Sequence, residues 1–336
     1  MTADQDAPAN PTSSGAKTAA VTGATGFLGS RLCERLLEEG WDVRALSRPT
    51  SDRGDLADAE GIEWYVGDLF EPSVLRLLVD DVDVVFHLAG IGLWSGDAET
   101  VRRVNVDGTR NVLSACADAE VGRVVFTSTS GTRRVDEGGG VADETDVAEP
   151  IGAYQESKAE AEALVDEYAE TVGEAVTVHP TSIFGSGDET FTAQLLAMAV
   201  EPYFVAHLPG GLSVVGVSDV VDGLLLAAER GESGEHYILG GENVTIRRAV
   251  SRIANYVDGT PARVPVPSAA IRAAGPVAEV AGAVADVRVF PFDRRMADLA
   301  TKRLYYDSGK AHEELGYAFR PLEAHVPEAM EWYRSR

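Results

Sequence analysis

Lysine is almost missing from this chain. Only Lys17, Lys158, Lys302 and Lys310 stand among 29 cations, and 54 carboxylates leave a net charge of −25 over 336 residues. A chain this acidic repels phosphate backbones, which excludes nucleic-acid binding driven by bulk electrostatics. Evenly spread acid with so little lysine suits a halophilic surface, one adapted to molar salt, where screening removes most self-repulsion. Cysteine is scarce as well. Cys33 and Cys116 lie far apart inside helical patterns, so both read as small buried hydrophobes and neither a disulfide framework nor a metal site is expected. No long apolar run is present: residues 271–289 are broken by Gly275-Pro276 and carry Arg272, Glu279, Asp286 and Arg288, so they do not span a bilayer. Residues 1–16 are polar, contain Pro and Ser and lack an apolar centre, the signature of a disordered tail and not of a signal peptide. What remains is an ordinary globular composition, 45% apolar and 25% charged, and the expected location is the cytoplasm.

From Lys17 onward, short β-branched runs alternate with helical segments. Residues 17–22, 41–46, 62–66, 82–88, 123–127 and 175–179 read as strands; 27–39, 72–79, 99–119 and 154–172 read as helices. Near-continuous apolar strands separated by helices indicate a parallel sheet covered on both faces. The expected fold is α/β, a Rossmann-type doubly wound domain over 17–185 to which 217–240 returns with one more helix and strand. Residues 186–216 and 241–336 are left for a substrate-binding lid and a smaller, mostly helical carboxyl-terminal domain. Between Arg247 and Arg303, ten cations face five carboxylates, which suits either an anionic contact or arginines paired with neighbouring acids.

The first strand runs into Thr22-Gly23-Ala24-Thr25-Gly26-Phe27-Leu28-Gly29 and a helix begins at once. Glycines there let the backbone approach a pyrophosphate, and the helix's free N–H groups meet its charge. An acid at the end of the second strand would hold the ribose of NAD; this chain has Ser47-Arg48 instead, and a guanidinium suits the 2′-phosphate of NADP. NADP(H) is therefore favoured over NAD(H). Farther on, Tyr154 and Lys158 stand four residues apart on one helix face. An ammonium beside a phenol favours its ionised form, and the same Lys can bind a ribose hydroxyl. The hydroxyl-rich end of the strand 123–127, Thr127-Ser128-Thr129-Ser130, lies where doubly wound folds place their sites.

Taken together, these motifs resemble the extended short-chain dehydrogenase/reductases, the NAD-dependent epimerase/dehydratase family, over about residues 17–320. TGATGFLG at 22–29 matches the cofactor fingerprint (Gly23, Thr25, Gly26, Phe27, Leu28, Gly29). Asp68-Leu69 matches the adenine-contacting pair, and VFHLAG at 85–90 the strand against the cofactor, with Leu88, Ala89 and Gly90 at its end. Asn105 falls where the family has a structural or active-site Asn. The resemblance implies a catalytic set of Thr129, Tyr154 and Lys158, with Ser128 as the alternative hydroxyl. Pro180-Thr181 looks like the reductase pattern after the sixth strand, and the segments 217–220, 234–245 and 305–317 look like dihydroflavonol-reductase-like and hopanoid-associated sugar-epimerase-like proteins. Sugar-nucleotide enzymes of the family carry Arg-Pro…Asn…Tyr-Gly-Pro there; His179, Ser182, Phe184 and Ser186 depart from that pattern. His179 reads as a satisfied strand-end histidine, not a catalyst.

The leading expectation is an NADP(H)-dependent reductase of a carbonyl or secondary alcohol, acting on a small molecule. A nucleotide-sugar epimerase or dehydratase holding NAD tightly is the alternative, and a non-catalytic dinucleotide sensor a remote one. The two long helices at 99–119 and 154–172 lie where the family forms homodimers.

Overall fold

The computed structural model describes residues 16–92, 97–134, 140–188, 191–201, 206–261, 263–285 and 294–335. All but the last residue of the tail read from the sequence, and Arg288 of the basic segment, lie outside them. In chain order come β1 (Thr18–Thr22), α1 (Phe27–Glu38), β2 (Asp42–Ser47), β3 (Ile62–Val66), α2 (Pro72–Val79) and β4 (Val84–His87). They are followed by α3 (Ala98–Arg102), α4 (Gly108–Asp118), β5 (Arg123–Thr127), α5 (Gly152–Thr171) and β6 (Ala175–Pro180). Next are β7 (Ser182–Phe184), α6 (Gln194–Val200), β8 (Ala206–His207), β9 (Gly211–Gly216), α7 (Val217–Arg230) and β10 (His236–Leu239). Then β11 (Glu242–Thr245), α8 (Ile246–Tyr256), β12 (Val264–Pro265), α9 (Ser268–Ala285), α10 (Arg294–Leu299), β13 (Arg303–Leu304) and α11 (Val326–Arg334) complete the chain.

Seven strands form one parallel sheet in the order β10-β6-β5-β4-β1-β2-β3. Its central strands are apolar on both faces because both faces are covered: Ala19, Ala20 and Val21 of β1 have no exposed surface. On one face α1 and α7 bring Leu32, Leu36, Val220 and Leu224 against the sheet. On the other, α2, α4 and α5 bring Leu75, Leu78, Val112 and Val165. Burying each leucine is worth about 2–3 kcal/mol, so truncating Leu36 or Leu78 to alanine costs about 3 kcal/mol. Cys33 and Cys116 sit unpaired in these two layers, and burial pushes both thiols up to about 12.

Two features differ from the sequence expectation. The helix read over 99–119 contains a wider, π-type turn at Arg103–Asp107 between α3 and α4, on whose inner side Asn105 is buried. The carboxyl-terminal part is not only helical. A second sheet, β11-β9-β13 with β7 also on β9, packs against α6, α8 and α11 through Phe184, Leu196, Val214, Ile253 and Met330. Its strands of two to six residues pair across long stretches of chain and carry no local periodicity. In the basic segment, Arg252 is paired with Glu242 and Glu323, and Arg272 and Lys302 share Asp298.

Candidate active site

Parallel order places β1 beside β4, where the chain's winding reverses, and opens a crevice at the carboxyl ends of the strands. The turn between β1 and α1 is made of backbone. Gly23 holds φ +76°, and a Cβ there would lie 2.7 Å from the Ala89 amide nitrogen. A Cβ on Gly29 would overlap the Gly23 carbonyl, so α1 can start this close to β1 only without a side chain. The Gly26 N-cap offers no side-chain acceptor, which leaves the first N–H groups of α1 for a ligand. Thr25, Phe27 and Leu28 line the same turn, half-buried. The turn is tied to β4 by Leu88 N–H donating to the Thr22 carbonyl (3.1 Å) and Ala89 N–H to Thr22 Oγ1 (3.3 Å). Beneath it, His87 is clamped between Thr22 Oγ1 (2.6 Å) and Thr109 Oγ1 (2.9 Å), and burial brings it down to about 3, neutral at all working pH.

At the end of β2, Ser47 is buried and Arg48 is exposed. Sequence reasoning missed a second guanidinium there. Arg53 lies 4.8 Å above the Trp64 ring and donates from Nε to Ser47 Oγ (3.2 Å). After β3, Asp68 accepts the Phe70 N–H (2.7 Å), and Leu69 is buried with its carbonyl held by Asn111 (2.9 Å).

The side-chain half of the site lies at the end of β5. A cavity of about 200 Å³ is bordered by Gly90, Thr129, Tyr154, Lys158, Pro180 and Thr181, with Leu88 and Ser128 also on its wall. Thus the three residues implied as catalytic come together with four of those implied as cofactor-binding. Lys158 Nζ donates to the Thr127 carbonyl (2.8 Å) and rests 4.8 Å from the Phe126 ring centre; burial brings its ammonium down to about 8, with Glu162 pulling the other way. The Tyr154 phenol is held above the ordinary tyrosine range, chiefly by burial. A hydrogen bond with Thr129 works against that rise and the Glu162 charge adds to it. The sequence argument had the ammonium drawing the phenol down; with Lys158 turned to a backbone carbonyl, burial wins. Two hydroxyls on the cavity wall, Thr127 Oγ1 and Thr181 Oγ1, are buried without a hydrogen-bond partner among the described residues, at a cost that a bound polar group would remove. Asn105 is structural here. Its side chain is saturated by Ile91 N–H (2.7 Å), the Ile91 carbonyl (3.0 Å) and Ser157 Oγ (2.9 Å).

A glycine cradle at a helix start, a switch-point crevice and a Thr–Tyr–Lys cavity with orphan hydroxyls together fit a dinucleotide lying across the carboxyl ends of β1, β4 and β5. Residues 19–240 match the family model described as "NAD dependent epimerase/dehydratase family", and the chain belongs to that family. It is an NAD(P)-dependent oxidoreductase of the extended short-chain type. Among its relatives, a Synechocystis sp. protein provisionally named a dihydroflavonol 4-reductase is 33% identical over 94% of both chains. A ketoreductase of Stigmatella aurantiaca acting on 4-hydroxy-2-methyl-3-oxo-4-farnesyl-3,4-dihydroquinoline-1-oxide is 32% identical over 89% of this chain and 91% of its own. The crystal structure of gox2253 superposes with a TM-score of 0.82 at 34% identity, covering 96% of this chain and 98% of that one. No described helix is long and apolar enough to cross a membrane.

Proposed function

We propose that the chain is an NADP(H)-dependent reductase of a ketone, or in reverse a dehydrogenase of the corresponding secondary alcohol. The observation that carries this reading is the meeting of Thr129, Tyr154 and Lys158 on one cavity beside the glycine cradle. A bound nicotinamide dinucleotide supplies or accepts the hydride. Thr129 holds the substrate oxygen through its hydroxyl, and Tyr154 donates the phenolic proton to that oxygen as charge develops on it. A phenol kept above its ordinary range is fully protonated at neutral pH, which suits a proton donor in the reducing direction. Lys158 is mostly charged at neutral pH; its Nζ is the group to hold a ribose hydroxyl and to stabilise the phenolate left behind. Thr127 and Thr181 offer their unpartnered hydroxyls to the dinucleotide or the substrate. The pyrophosphate falls to Gly23–Gly29, the adenine end to Asp68 and Leu69, and the 2′-phosphate to Arg48, flanked by Arg53.

The relatives named as reductases of 3-oxo compounds supply the ketones for a first screen, 2-alkyl-3-oxoalkanoates among them. With a ketone so found, Tyr154→Phe is expected to lower kcat about 1000-fold while leaving NADPH affinity unchanged. Unchanged turnover would remove Tyr154 from the mechanism. The division into a dinucleotide domain and a carboxyl-terminal substrate domain, a homodimer through α4 and α5, and a cytoplasmic, salt-adapted protein complete the reading. Its acidic, lysine-poor composition supports the last of these, and cooperative unfolding at about 0.1 M salt equal to that at molar salt would count against it.

A further inference from the structure

Directly behind the catalytic cavity lies a buried polar cluster that the reaction above does not use. Glu162 stands one helical turn beyond Lys158 on α5 and is bonded by the Ser128 hydroxyl. Arg133, whose side chain is 6% exposed, donates from Nη1 to Glu162 (2.9 Å) and from Nη2 to His236 Nδ1 (3.0 Å). His179, with no exposed surface, places Nε2 2.9 Å from the same His236 Nδ1, while His236 Nε2 lies 2.9 Å from Asp166 at the surface. On its other side His179 Nδ1 meets Thr132 Oγ1 (3.3 Å) and the Thr129 carbonyl (3.1 Å).

By spacing alone Glu162, His179 and His236 could hold a metal ion. The guanidinium of Arg133 excludes one, because a fixed cation already bridges Glu162 and His236. The same guanidinium fixes the proton of His236. Arginine only donates, so His236 Nδ1 is a bare acceptor and its Nε2–H points at Asp166. His179 bridges the two sides, its Nε2 against His236 Nδ1 and its Nδ1 within hydrogen-bond distance of the Thr129 carbonyl, to which the Thr132 hydroxyl also donates (2.9 Å). A continuous chain of contacts results, from the Thr129 carbonyl through His179 and His236 to Asp166, and it ends on the one-turn helix 130–132 that Thr129 caps through its own Oγ1 (3.2 Å to Gly131 N).

We propose that His179 and Glu162 are positioning residues for the catalytic hydroxyl of Thr129: Glu162 fixes the neighbouring Ser128, and His179, anchored through His236 to Asp166, fixes the 129–132 turn so that the Thr129 hydroxyl faces Tyr154. The parts meet only in three dimensions: the segment after β5 brings Ser128 to Arg133, α5 brings Glu162 and Asp166, β6 brings His179 and β10 brings His236. The inference takes the cavity's chemistry from the reading above, and its first test needs no turnover.

Tyr154 is observed directly by labelling tyrosine with ¹³C at Cζ and following the phenol's titration in the full-length protein. His179→Leu removes the anchor and frees the turn; Tyr154, losing its Thr129 hydrogen bond, is expected to titrate at higher pH. Glu162→Gln removes a neighbouring negative charge and is expected to move the same titration to lower pH. His179→Gln, which keeps a donor towards His236, restores the wild-type titration. With a ketone substrate, His179→Leu lowers kcat about tenfold with the KM for NADPH unchanged, and His179→Gln recovers most of it. If His179→Leu does not fold, His236→Leu at the half-buried edge of the cluster takes its place with the same expectation. A folded Leu variant whose Tyr154 titrates as in wild type, or a Gln variant no better than Leu, overturns the proposal. If Tyr154 shifts as expected while no ketone is reduced, the positioning stands and the reductase reading fails.

Discussion

The turn between β1 and α1 and the cavity at the end of β5 both face the crevice, but they are specified by different means. The first is a backbone object: Gly23 and Gly29 are needed because no side chain fits, and the groups it presents are peptide N–H. The second is a side-chain object, in which Tyr154, Lys158 and the residues behind them owe their proton affinities to burial and to one another. A backbone site fails by steric change, and its own peptide groups do not titrate. A buried ionisable site fails by charge change and carries pH dependence into the stability of the whole fold.

The sharpest way to break the first region is Gly23→Ala. The new Cβ would crowd the Ala89 amide at a positive φ, and relieving about 3 kcal/mol of strain displaces the cradle. Dinucleotide affinity is expected to fall about 100-fold, with a smaller change in melting temperature, as read by fluorescence titration. Unaltered affinity would mean that the pyrophosphate lies elsewhere.

Acid acts on both regions, through His87 beneath the first and His179 behind the second. His87 has a folded value of about 3 against an ordinary 6.5, so its full contribution is present above about pH 6.5 and is lost as pH falls towards 3. At pH 5 this one group costs about 2 kcal/mol, roughly a 30-fold change in the folding equilibrium. His179, also brought down to about 3 chiefly by burial, adds in the same direction. Despite its burial, Glu162 is held below the usual carboxylate range by the Arg133 guanidinium and the hydrogen bond from Ser128, so its own loss comes only at lower pH. Urea unfolding at pH 7.5 and pH 5 measures the sum; equal midpoints would mean that neither imidazole is buried as described.

The same contrast explains what was legible in the sequence. TGATGFLG could be read because a backbone need writes itself as glycine at fixed local spacing. The Tyr154–Lys158 pair could be read because four residues is one helix turn, and the central strands because burial on both faces makes them apolar throughout. The cluster of Arg133, Glu162, His179 and His236 was not legible: its members are 17 to 103 residues apart along the chain and meet only when the segment after β5 assembles with α5, β6 and β10. His179 alone showed, and only as a departure from the family's Arg-Pro. The small sheet β11-β9-β13 was missed for the same reason, since its strands pair across about 30 and 90 residues. The π-turn around Asn105 left no mark: the partners of that buried side chain, Ile91 and Ser157, lie 14 and 52 residues away along the chain.

The smallest expected effect bears on the central claim, that this is an NADP(H) enzyme exchanging its cofactor with solution. At the end of β2 the chain offers Arg48 and no acid, and one charge-assisted contact to a 2′-phosphate is worth about 1.5 kcal/mol, roughly tenfold in affinity. The direct measurement is to denature the purified protein, identify any released dinucleotide, and titrate NADPH and NADH into wild type and Arg48→Ala at molar salt. The account predicts an exchangeable site, a clear NADPH preference in wild type, and its loss by about tenfold in Arg48→Ala with NADH binding unchanged. Stoichiometric, non-exchanging NAD would contradict it and favour an epimerase or dehydratase.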